Sequence, residues 1–283
     1  MLCVIWGAQQ VAMKVVAADI APTMQLAVRF AGAAIFFGIL LLVREGPAAL
    51  GDGTLRSGLA LGGMFSLEFL LIGEALAHTT AAHTVVFLYS SPIFTALGLQ
   101  FLPDERLRRL QWLGIAVAFI GIVTAFIGPA GHSVKEVVTG DFFALCAGMS
   151  WGLTNVVLRR GRVGNATTVK TVFYQVSIAA VVLLGFAVQT GQARIVFSTA
   201  AMLSVLFQTL VIAIASYLLW FWLLRHYLTS RLMMLSLLTP LFGVLFGAWL
   251  LGDPIEPRFA VGALLVLAGI LIVNARQLLQ RAA

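Results

Sequence analysis

Charged side chains are scarce in this sequence, and their scarcity excludes a water-soluble fold. Of the 283 residues, 10% are charged, whereas ordinary soluble domains contain about 25%. Hydrophobic residues make up 61% of the chain. Polar residues are therefore too few to cover a water-facing surface, and the chain is predicted to lie in a lipid bilayer.

Cysteines and the motifs of catalysis are also largely missing. The two cysteines, Cys3 and Cys146, both fall within predicted membrane spans, so no disulfide framework is expected. No segment resembles the G-x-x-x-x-G-K-[ST] loop, which leaves ATP-driven transport without a nucleotide site. A metal site would need more ligands, and a tighter group, than His78 and His83 provide. The sequence therefore predicts no cofactor, no bound metal and no catalytic residue.

Apolar runs of about 20 residues recur along the whole chain, and each can cross a hydrocarbon core about 30 Å thick as a helix. Breaks that carry Gly, Pro, Asp and Arg separate these runs. The sequence thus predicts an all-α integral membrane protein with ten transmembrane helices. The predicted spans are residues 1–18, 22–43, 57–77, 81–102, 107–127, 141–159, 168–189, 199–224, 231–251 and 259–275.

The basic residues alternate between the two sides of the predicted bundle. With the N-terminus inside, thirteen Lys and Arg fall at inner loops and helix ends, whereas the outer loops hold only Lys135, Arg194 and Arg258. Inner loops of membrane proteins carry this excess of positive charge. Both termini are therefore predicted to be cytoplasmic. Because the basic residues form no single patch, no nucleic-acid partner is expected.

The two halves of the chain align with each other at an offset of 145 to 148 residues. The aligned pairs include Trp6 with Trp151, Pro92 with Pro240, Gly114 with Gly262 and Gly121 with Gly269. Since each half has five spans, the two repeats lie in opposite orientations, as in secondary transporters. We expect a first repeat at 1–127, a linker at 128–140 and a second repeat at 141–283. The first span is short by about one helical turn, so either it is truncated or the protein begins upstream of Met1.

Pro92 and Pro240 stand at matching places in the fourth span of each repeat. A proline removes a backbone hydrogen bond, and a membrane helix tolerates the loss where hydroxyl groups, water or neighbouring helices replace it. Ser90, Ser91 and Thr239 precede the prolines and could do so. Two interpretations stay open: the prolines shape or hinge gating helices, or they form static kinks that improve packing.

The chain resembles the EamA-type drug/metabolite transporter superfamily in several features. These are the paired five-helix repeats, the early Trp-Gly in each, the "PTMQLAVRF" opening of the second span, and a Ser-Pro or Thr-Pro followed thirteen residues later by an acid. The segment "CVIWGAQQVAMKV" is most similar to the branch of bacterial exporters of aromatic and other amino acids. The resemblance implies ten helices, a multi-pass location in the bacterial inner membrane, and efflux of small amphipathic metabolites without ATP.

An aromatic, an amide and a basic side chain recur at four-residue spacing in the first span of each repeat. The residues are Trp6, Gln10 and Lys14, then Trp151, Asn155 and Arg159. Four-residue spacing places each set on one helix face. Because indoles offer flat apolar walls and amides both donate and accept, we predict that Trp6, Gln10, Trp151 and Asn155 line a substrate cavity. The alternative is an interfacial belt with basic helix ends.

Charged residues within the predicted spans are further candidates for function, because a charged group inside a membrane costs free energy unless it is paired or hydrated. Glu68 lies about halfway along the third span and Arg29 lies within the second. Arg29 could simply pair with Glu68 or Glu74. Alternatively, Glu68 carries a coupling proton or binds a substrate ammonium group. Three aromatic residues complete the predicted cavity: Phe65, Tyr89 and Trp220.

Three functions stay open from the sequence. The first is a secondary transporter that exports amino acids or related metabolites, with membrane lipid and a small-molecule substrate as its partners, as a monomer or weak homodimer. Proton coupling and facilitated export are both compatible with it. The second is a membrane-embedded enzyme using Glu68, Glu74 and His78, although no nucleophile motif accompanies them. The third is a channel, for which two rocking repeats would be an unneeded complication.

Overall fold

The computed structural model describes residues 1–79, 81–102, 106–126, 134–160, 166–252 and 257–282. This part of the chain is almost wholly helical, and its one β-type contact is an isolated bridge between Ile20 and Ile195. A short 3-10 helix, Pro47–Gly51, follows the second helix. The α-helices are α1 (Leu2–Val15), α2 (Pro22–Glu45), α3 (Leu55–His78), α4 (Ala81–Leu88), α5 (Ser91–Leu99), α6 (Arg109–Phe126), α7 (Val134–Arg160), α8 (Thr168–Gln189), α9 (Thr199–Phe207), α10 (Tyr217–His226), α11 (Thr229–Ser236), α12 (Thr239–Leu251) and α13 (Pro257–Ala282).

Seven helical stretches in the described ranges are long and apolar enough to cross a membrane. They are Pro22–Glu45, Leu55–Leu76, Arg109–Phe126, Lys135–Arg159, Thr168–Gln189, Thr199–His226 and Thr229–Leu251. Two shorter apolar helices, His83–Leu99 and Pro257–Val273, coincide with the fourth and tenth predicted spans. Helix α1, with 14 residues, coincides with the first. Every predicted span is therefore helical, and seven have the length of a full crossing.

The outward surface of these helices is apolar, as a lipid environment requires. Ile39 of α2 is 59% exposed, and Val181 of α8 and Trp249 of α12 are exposed to 73% and 77%. In water each such side chain would forgo about 25 cal/mol for every Å² left unburied. In lipid that penalty disappears, because the acyl chains are as apolar as the side chains.

Helix ends follow from local capping. Pro22 opens α2 at a position where its missing N–H costs nothing, because the first N–H groups of a helix have no partner within it. The side chains of Thr167 and Ser198 precede α8 and α9 and accept hydrogen bonds from the backbone N–H three residues later. Gly252 ends α12 with φ of 71°, in the left-handed region that favours glycine.

The chain divides into two compact units, and each unit takes helices from both the earlier and the later half of the sequence. Unit 1 comprises Met1–Leu70 and Val157–Arg225, and unit 2 comprises Leu71–Val156 and His226–Ala283. Packing therefore does not follow the division into repeats that we expect from the sequence. The predicted linker 128–140 falls partly outside the described residues, and its described part, from residue 134, is helical because α7 begins there.

Both proline-containing spans are broken helices. In the first repeat α4 ends at Leu88 and α5 begins at Ser91, with Pro92 in its first turn. In the second repeat α11 ends at Ser236 and α12 begins at Thr239, with Pro240 in its first turn. A proline is compatible with a first turn, since its N–H would have had no helical partner there. The expected kink is thus a break, two residues wide, at matching positions in the two repeats.

The hydroxyl groups beside these breaks do not all repair the lost hydrogen bonds. Ser90 Oγ donates to the carbonyl oxygen of Phe87 at 2.6 Å, and Ser236 Oγ donates to that of Met233 at 2.6 Å. The buried hydroxyl groups of Ser91 and Thr239, by contrast, have no hydrogen-bond partner in the described structure.

In unit 1, Lys170 fastens the loop between α2 and α3 to α8. Lys170 is 1% exposed, and its Nζ lies 2.5 Å from Asp52 Oδ2 and donates to the carbonyl oxygen of Ala49. Hydrogen bonds from Lys170 and then from Thr54 lower the pKa of Asp52 to about 2. A carboxyl group whose pKa is lower in the folded than in the unfolded protein stabilises the fold at pH values above its unfolded pKa. The stabilisation by Asp52 is therefore lost as the pH falls towards its folded pKa of about 2.

Helices α6 and α13 pack face to face in unit 2 along the glycines that the sequence places at seven-residue spacing. A methyl group on Gly121 would lie 2.6 Å from the backbone nitrogen of Val266 and 2.7 Å from the carbonyl oxygen of Gly262. Likewise, one on Gly114 would lie 2.7 Å from the carbonyl oxygen of Gly269. Backbones that approach this closely leave no room for a side chain.

We expect the variant Gly121→Ala to lower the thermal unfolding midpoint in detergent, because the new methyl group meets backbone rather than a movable side chain. Overpacking of this kind costs about 1–3 kcal/mol. The matched control is Gly185→Ala on α8, where a methyl group meets nothing within 4 Å. The control should be neutral or stabilising, since alanine favours a helix over glycine. Equal midpoints for the two variants would contradict the close contact of α6 with α13.

Candidate functional site

A π-helical segment, Gln208–Ser216, joins α9 to α10 in unit 1. Such segments are rare and occur frequently at functional sites. Each π-type turn shifts the register of the helix that follows, and so changes which side chains face inward. The residues at and after its end, Ser216, Tyr217 and Trp220, are those that contact the predicted cavity residues of unit 1.

Trp6 of α1 is held at the end of the π-helical segment. Its indole Nε1 donates to Ser216 Oγ at 2.8 Å, and the same hydroxyl group donates to the carbonyl oxygen of Ile212 at 2.5 Å. The rings of Trp6 and Trp220 meet edge to face with centroids 5.3 Å apart. Two of the predicted cavity residues are thus brought together, with the orientation of the Trp6 indole set by a residue that the prediction did not include.

Arg29 of α2 is a buried cation without full compensation. It is 1% exposed, and its guanidinium carbon lies 4.6 Å from the ring centroid of Phe30 and 5.7 Å from that of Phe69. It also interacts with the side chain of Tyr217. Its Nε and Nη1 atoms have no hydrogen-bond partner among the described residues. Cation–π contacts supply about 2 kcal/mol when desolvated, which is less than a charge costs in a membrane interior.

Glu68 of α3 is buried in the same unit and is likewise incompletely paired. It is 6% exposed, and its Oε2 atom has no hydrogen-bond partner in the described ranges. Within those ranges Arg29 and Glu68 form no ion pair with each other. Tyr217 instead interacts electrostatically with both. The direct pairing with Glu68 that would make Arg29 purely structural is therefore not formed.

A cluster of aromatic rings lies beside Arg29 and includes Tyr217, which interacts with both Arg29 and Glu68. Phe30, Phe65 and Phe69 contact one another edge to face, with ring centroids 5.0 to 5.4 Å apart. Tyr217 lies against this cluster, with its ring 6.1 Å from that of Phe65 and 6.4 Å from that of Phe30. The predicted residues Phe65 and Glu68 thus belong to one aromatic, charged cluster, which we call the Arg29–Glu68 site.

Of the remaining predicted cavity residues, three lie in unit 2 and Gln10 lies in unit 1. The rings of Tyr89 and Trp151 meet edge to face with centroids 5.6 Å apart. Asn155 is buried, and its Nδ2 donates to the carbonyl oxygen of Trp151 at 2.9 Å, one turn earlier in α7. Gln10 lies in α1, but its side chain is outside the part of the structure that is described.

The histidines near the third and fourth spans make contacts within unit 2. His78 Nδ1 lies 2.9 Å from the carbonyl oxygen of Glu74, one turn earlier in α3. His83 Nδ1 lies 3.0 Å from Asp141 Oδ1, which also accepts from the hydroxyl group of Thr79. No group of three or more His, Cys, Asp or Glu that could hold a metal ion occurs among the residues described.

Sequence reasoning missed the importance of Ser216 and Tyr217. The repeat aligns Ser216 with Glu68, so an inward position for Ser216 could have been inferred. Nothing in the spacing, however, indicates the π-type register of Gln208–Ser216 that places Tyr217 beside Arg29.

Comparisons with known proteins agree with this architecture. The profile of the EamA-like transporter family matches residues 1–127 and 138–275. The chain belongs to this family. It is therefore a membrane transporter, and its apolar helices and bacterial relatives make it a multi-pass bacterial membrane protein.

Individual relatives cover nearly the whole chain. A probable amino-acid metabolite efflux pump of Salmonella typhimurium is 30% identical over 96% of this chain and 92% of its own length. An uncharacterized transporter of Bacillus subtilis is 26% identical over 94% of this chain and 91% of its own. A solved crystal structure matches with a TM-score of 0.80 at 20% identity, over 97% of this chain and 95% of the other, which shows a shared fold.

We expect Ser216→Ala to lower the thermal unfolding midpoint, because it leaves the part-buried indole N–H of Trp6 without its acceptor. An unsatisfied buried donor costs about 1–3 kcal/mol. Ser177→Ala on α8 is the matched control, since the Ser177 hydroxyl group has no partner to lose among the residues described. The orientation assigned to Trp6 is wrong if both variants unfold at the temperature of the wild type.

Proposed function

We propose that this protein is a secondary transporter that exports small amphipathic metabolites, namely aromatic or other neutral amino acids, across the bacterial inner membrane by alternating access. The observation that carries the proposal is the Arg29–Glu68 site, in which two buried and incompletely paired ionisable groups both interact with Tyr217, beside a cluster of phenylalanine rings. Such a site suits a solute that has both polar and apolar parts. Because the chain belongs to a transporter family, we assign substrate binding to this site.

The substrate class is supported by the relatives. The relative from Salmonella typhimurium is named a probable amino-acid metabolite efflux pump. Its identity to this chain is 30%, against 26% for the transporter of Bacillus subtilis. The resemblance of the first span to exporters of aromatic amino acids agrees with this class. In this proposal Trp6, Phe65, Glu68 and Trp220 contact the substrate in unit 1, and Gln10, Tyr89, Trp151 and Asn155 contact it at another stage of transport.

The inverted repeat of five plus five helices, with both termini cytoplasmic, is part of the proposal. It is supported by the family profile, which matches the chain twice, at 1–127 and 138–275. It is also supported by the helix breaks, which occur in both halves at the same offset as the aligned prolines. Discontinuous helices at corresponding places in two repeats are characteristic of secondary transporters.

Pro92 and Pro240 are proposed as hinges. A break two residues wide interrupts the hydrogen-bond ladder of the helix, and the buried hydroxyl groups of Ser91 and Thr239 add no hydrogen bond to the described structure. Fewer hydrogen bonds across a joint lower the free energy needed to change its angle. The two halves of each span can then reorient as the protein alternates between inward-open and outward-open states.

Transport assays in proteoliposomes test the proposed role of the aromatic cavity residues. We expect Trp6→Ala and Trp151→Ala to reduce saturable counterflow of labelled neutral and aromatic amino acids by about tenfold or more, because each removes a large wall of the cavity. Trp249→Ala is the matched control, since Trp249 is 77% exposed on the lipid-facing side of α12.

Three results would contradict the proposal in different ways. Equal losses for all three tryptophan variants at matched reconstitution would remove the cavity assignment. Flux that rises linearly with concentration, without counterflow, would indicate a channel. Chemical conversion of the solute without transport would indicate an enzyme.

The role of Glu68 in coupling is tested by its amide variant. If Glu68 carries a proton, Glu68→Gln should abolish amino-acid exchange driven by an imposed pH gradient, because an amide cannot take up a proton. Tyr217 interacts electrostatically with Glu68 and also with Arg29. Glu136→Gln on the exposed start of α7 serves as the control. Full pH-driven exchange in Glu68→Gln would exclude Glu68 as the proton carrier.

A further inference from the structure

Two ionisable side chains of opposite type in unit 1, Arg29 and Glu68, are buried without the partners that a membrane interior normally requires. Arg29 leaves three N–H groups unpaired in the described structure, one on Nε and two on Nη1. Glu68 leaves its Oε2 atom unpaired there. Both side chains are more than nine-tenths buried. Each therefore has unused hydrogen-bonding capacity, one as a donor and the other as an acceptor.

A purely structural role does not account for this arrangement. If the two charges served only stability, a direct ion pair would give the lowest free energy, since a buried charge without its counter-charge costs several kcal/mol. In the structure Tyr217 interacts with both, and the two charges form no pair with each other within the described residues. Because Arg29 and Glu68 do not pair with each other, a bound ligand can supply the partner that each of them lacks.

The chemistry of the two groups specifies that ligand. A guanidinium group binds a carboxylate by charge-assisted hydrogen bonds, and a carboxylate binds an ammonium group in the same way. A purely anionic solute would leave Glu68 unpaired, and a purely cationic one would leave Arg29 unpaired. Only a molecule that carries both charges neutralises the whole site.

We propose that Arg29 and Glu68 are the two poles of a zwitterion-binding site. Arg29 binds the α-carboxylate of a neutral amino acid, Glu68 binds its α-ammonium group, and the substrate side chain packs against the rings of Phe65 and Phe69. Tyr217 interacts with both poles. This assignment rests on the proposed export of amino acids, and it adds Arg29 and Tyr217 to the substrate-binding residues.

The first test uses wild-type protein in liposomes. It asks whether the protein recognises both the carboxylate and the ammonium group of its substrate. Unlabelled compounds compete with labelled L-phenylalanine in counterflow: L-phenylalanine itself, phenethylamine, which lacks the carboxylate, and 3-phenylpropanoate, which lacks the ammonium group. We expect each analogue to compete about tenfold or more weakly than L-phenylalanine, because each leaves one buried charge unpaired. If L-leucine is the better substrate, isopentylamine and 4-methylpentanoate replace the two analogues.

The second test assigns each substrate charge to its residue. In Arg29→Gln, discrimination against phenethylamine should fall towards unity while discrimination against 3-phenylpropanoate persists. In Glu68→Gln the reverse is expected. This crossed pattern is a double-mutant cycle between protein and ligand, which a general loss of packing does not produce. Arg44→Gln at the exposed end of α2 should keep both discriminations.

The outcomes separate this inference from the proposed function. Saturable amino-acid transport in which wild-type protein accepts the analogues equally, or in which neither variant changes the discrimination, overturns the zwitterion site alone. Failure of the wild type to transport any neutral or aromatic amino acid overturns the proposed substrate class, and this inference with it. Should a variant fail to fold, as judged by its unfolding midpoint, the wild-type result with the charge-deleted analogues decides.

Discussion

The absence of water from the membrane interior is the constraint on which this structure depends. Every polar group placed there must find its partner within the protein or in a bound solute. Most do so locally: Ser90, for example, uses its hydroxyl group on a carbonyl oxygen three residues earlier. In unit 1 the unpaired buried atoms of the described residues also include those of Gln175, Ser177 and Gln208, but only Arg29 and Glu68 among them are ionisable groups, for which burial without a partner costs most. They are therefore the most informative polar groups in unit 1.

Helix positions and close helix contacts were predictable from the sequence because they depend on local patterns. Apolar runs of sufficient length must be helical in lipid, and every predicted span is helical. Glycines at seven-residue spacing on α6 and α13 predict the close backbone approach that the structure has at Gly121 and Gly262. The matching prolines predicted a disturbance at the right residues, although its form is a helix break rather than a kink.

The site was only partly predictable, because it depends on which side chains converge. The sequence singled out Trp6 and Trp220, whose rings meet in the structure, but it could not show that Ser216 would bind the Trp6 indole. The π-helical segment before Tyr217 alters the register of α10, and no periodicity reveals it. Arg29 was open to a structural interpretation from the sequence, and only its unpaired nitrogen atoms favour a functional one.

The way in which each unit combines segments far apart in the sequence bears on how the protein is made. Unit 1 takes its second segment, Val157–Arg225, from the later half of the chain. On the ribosome, α2 and the start of α3 enter the bilayer well before α8, the helix against which they pack. Until α8 emerges, the buried face of α2, including Arg29, lacks its native neighbours. Insertion machinery or chaperones would need to shelter this nascent segment, and the protein can reach its native packing only late in translation.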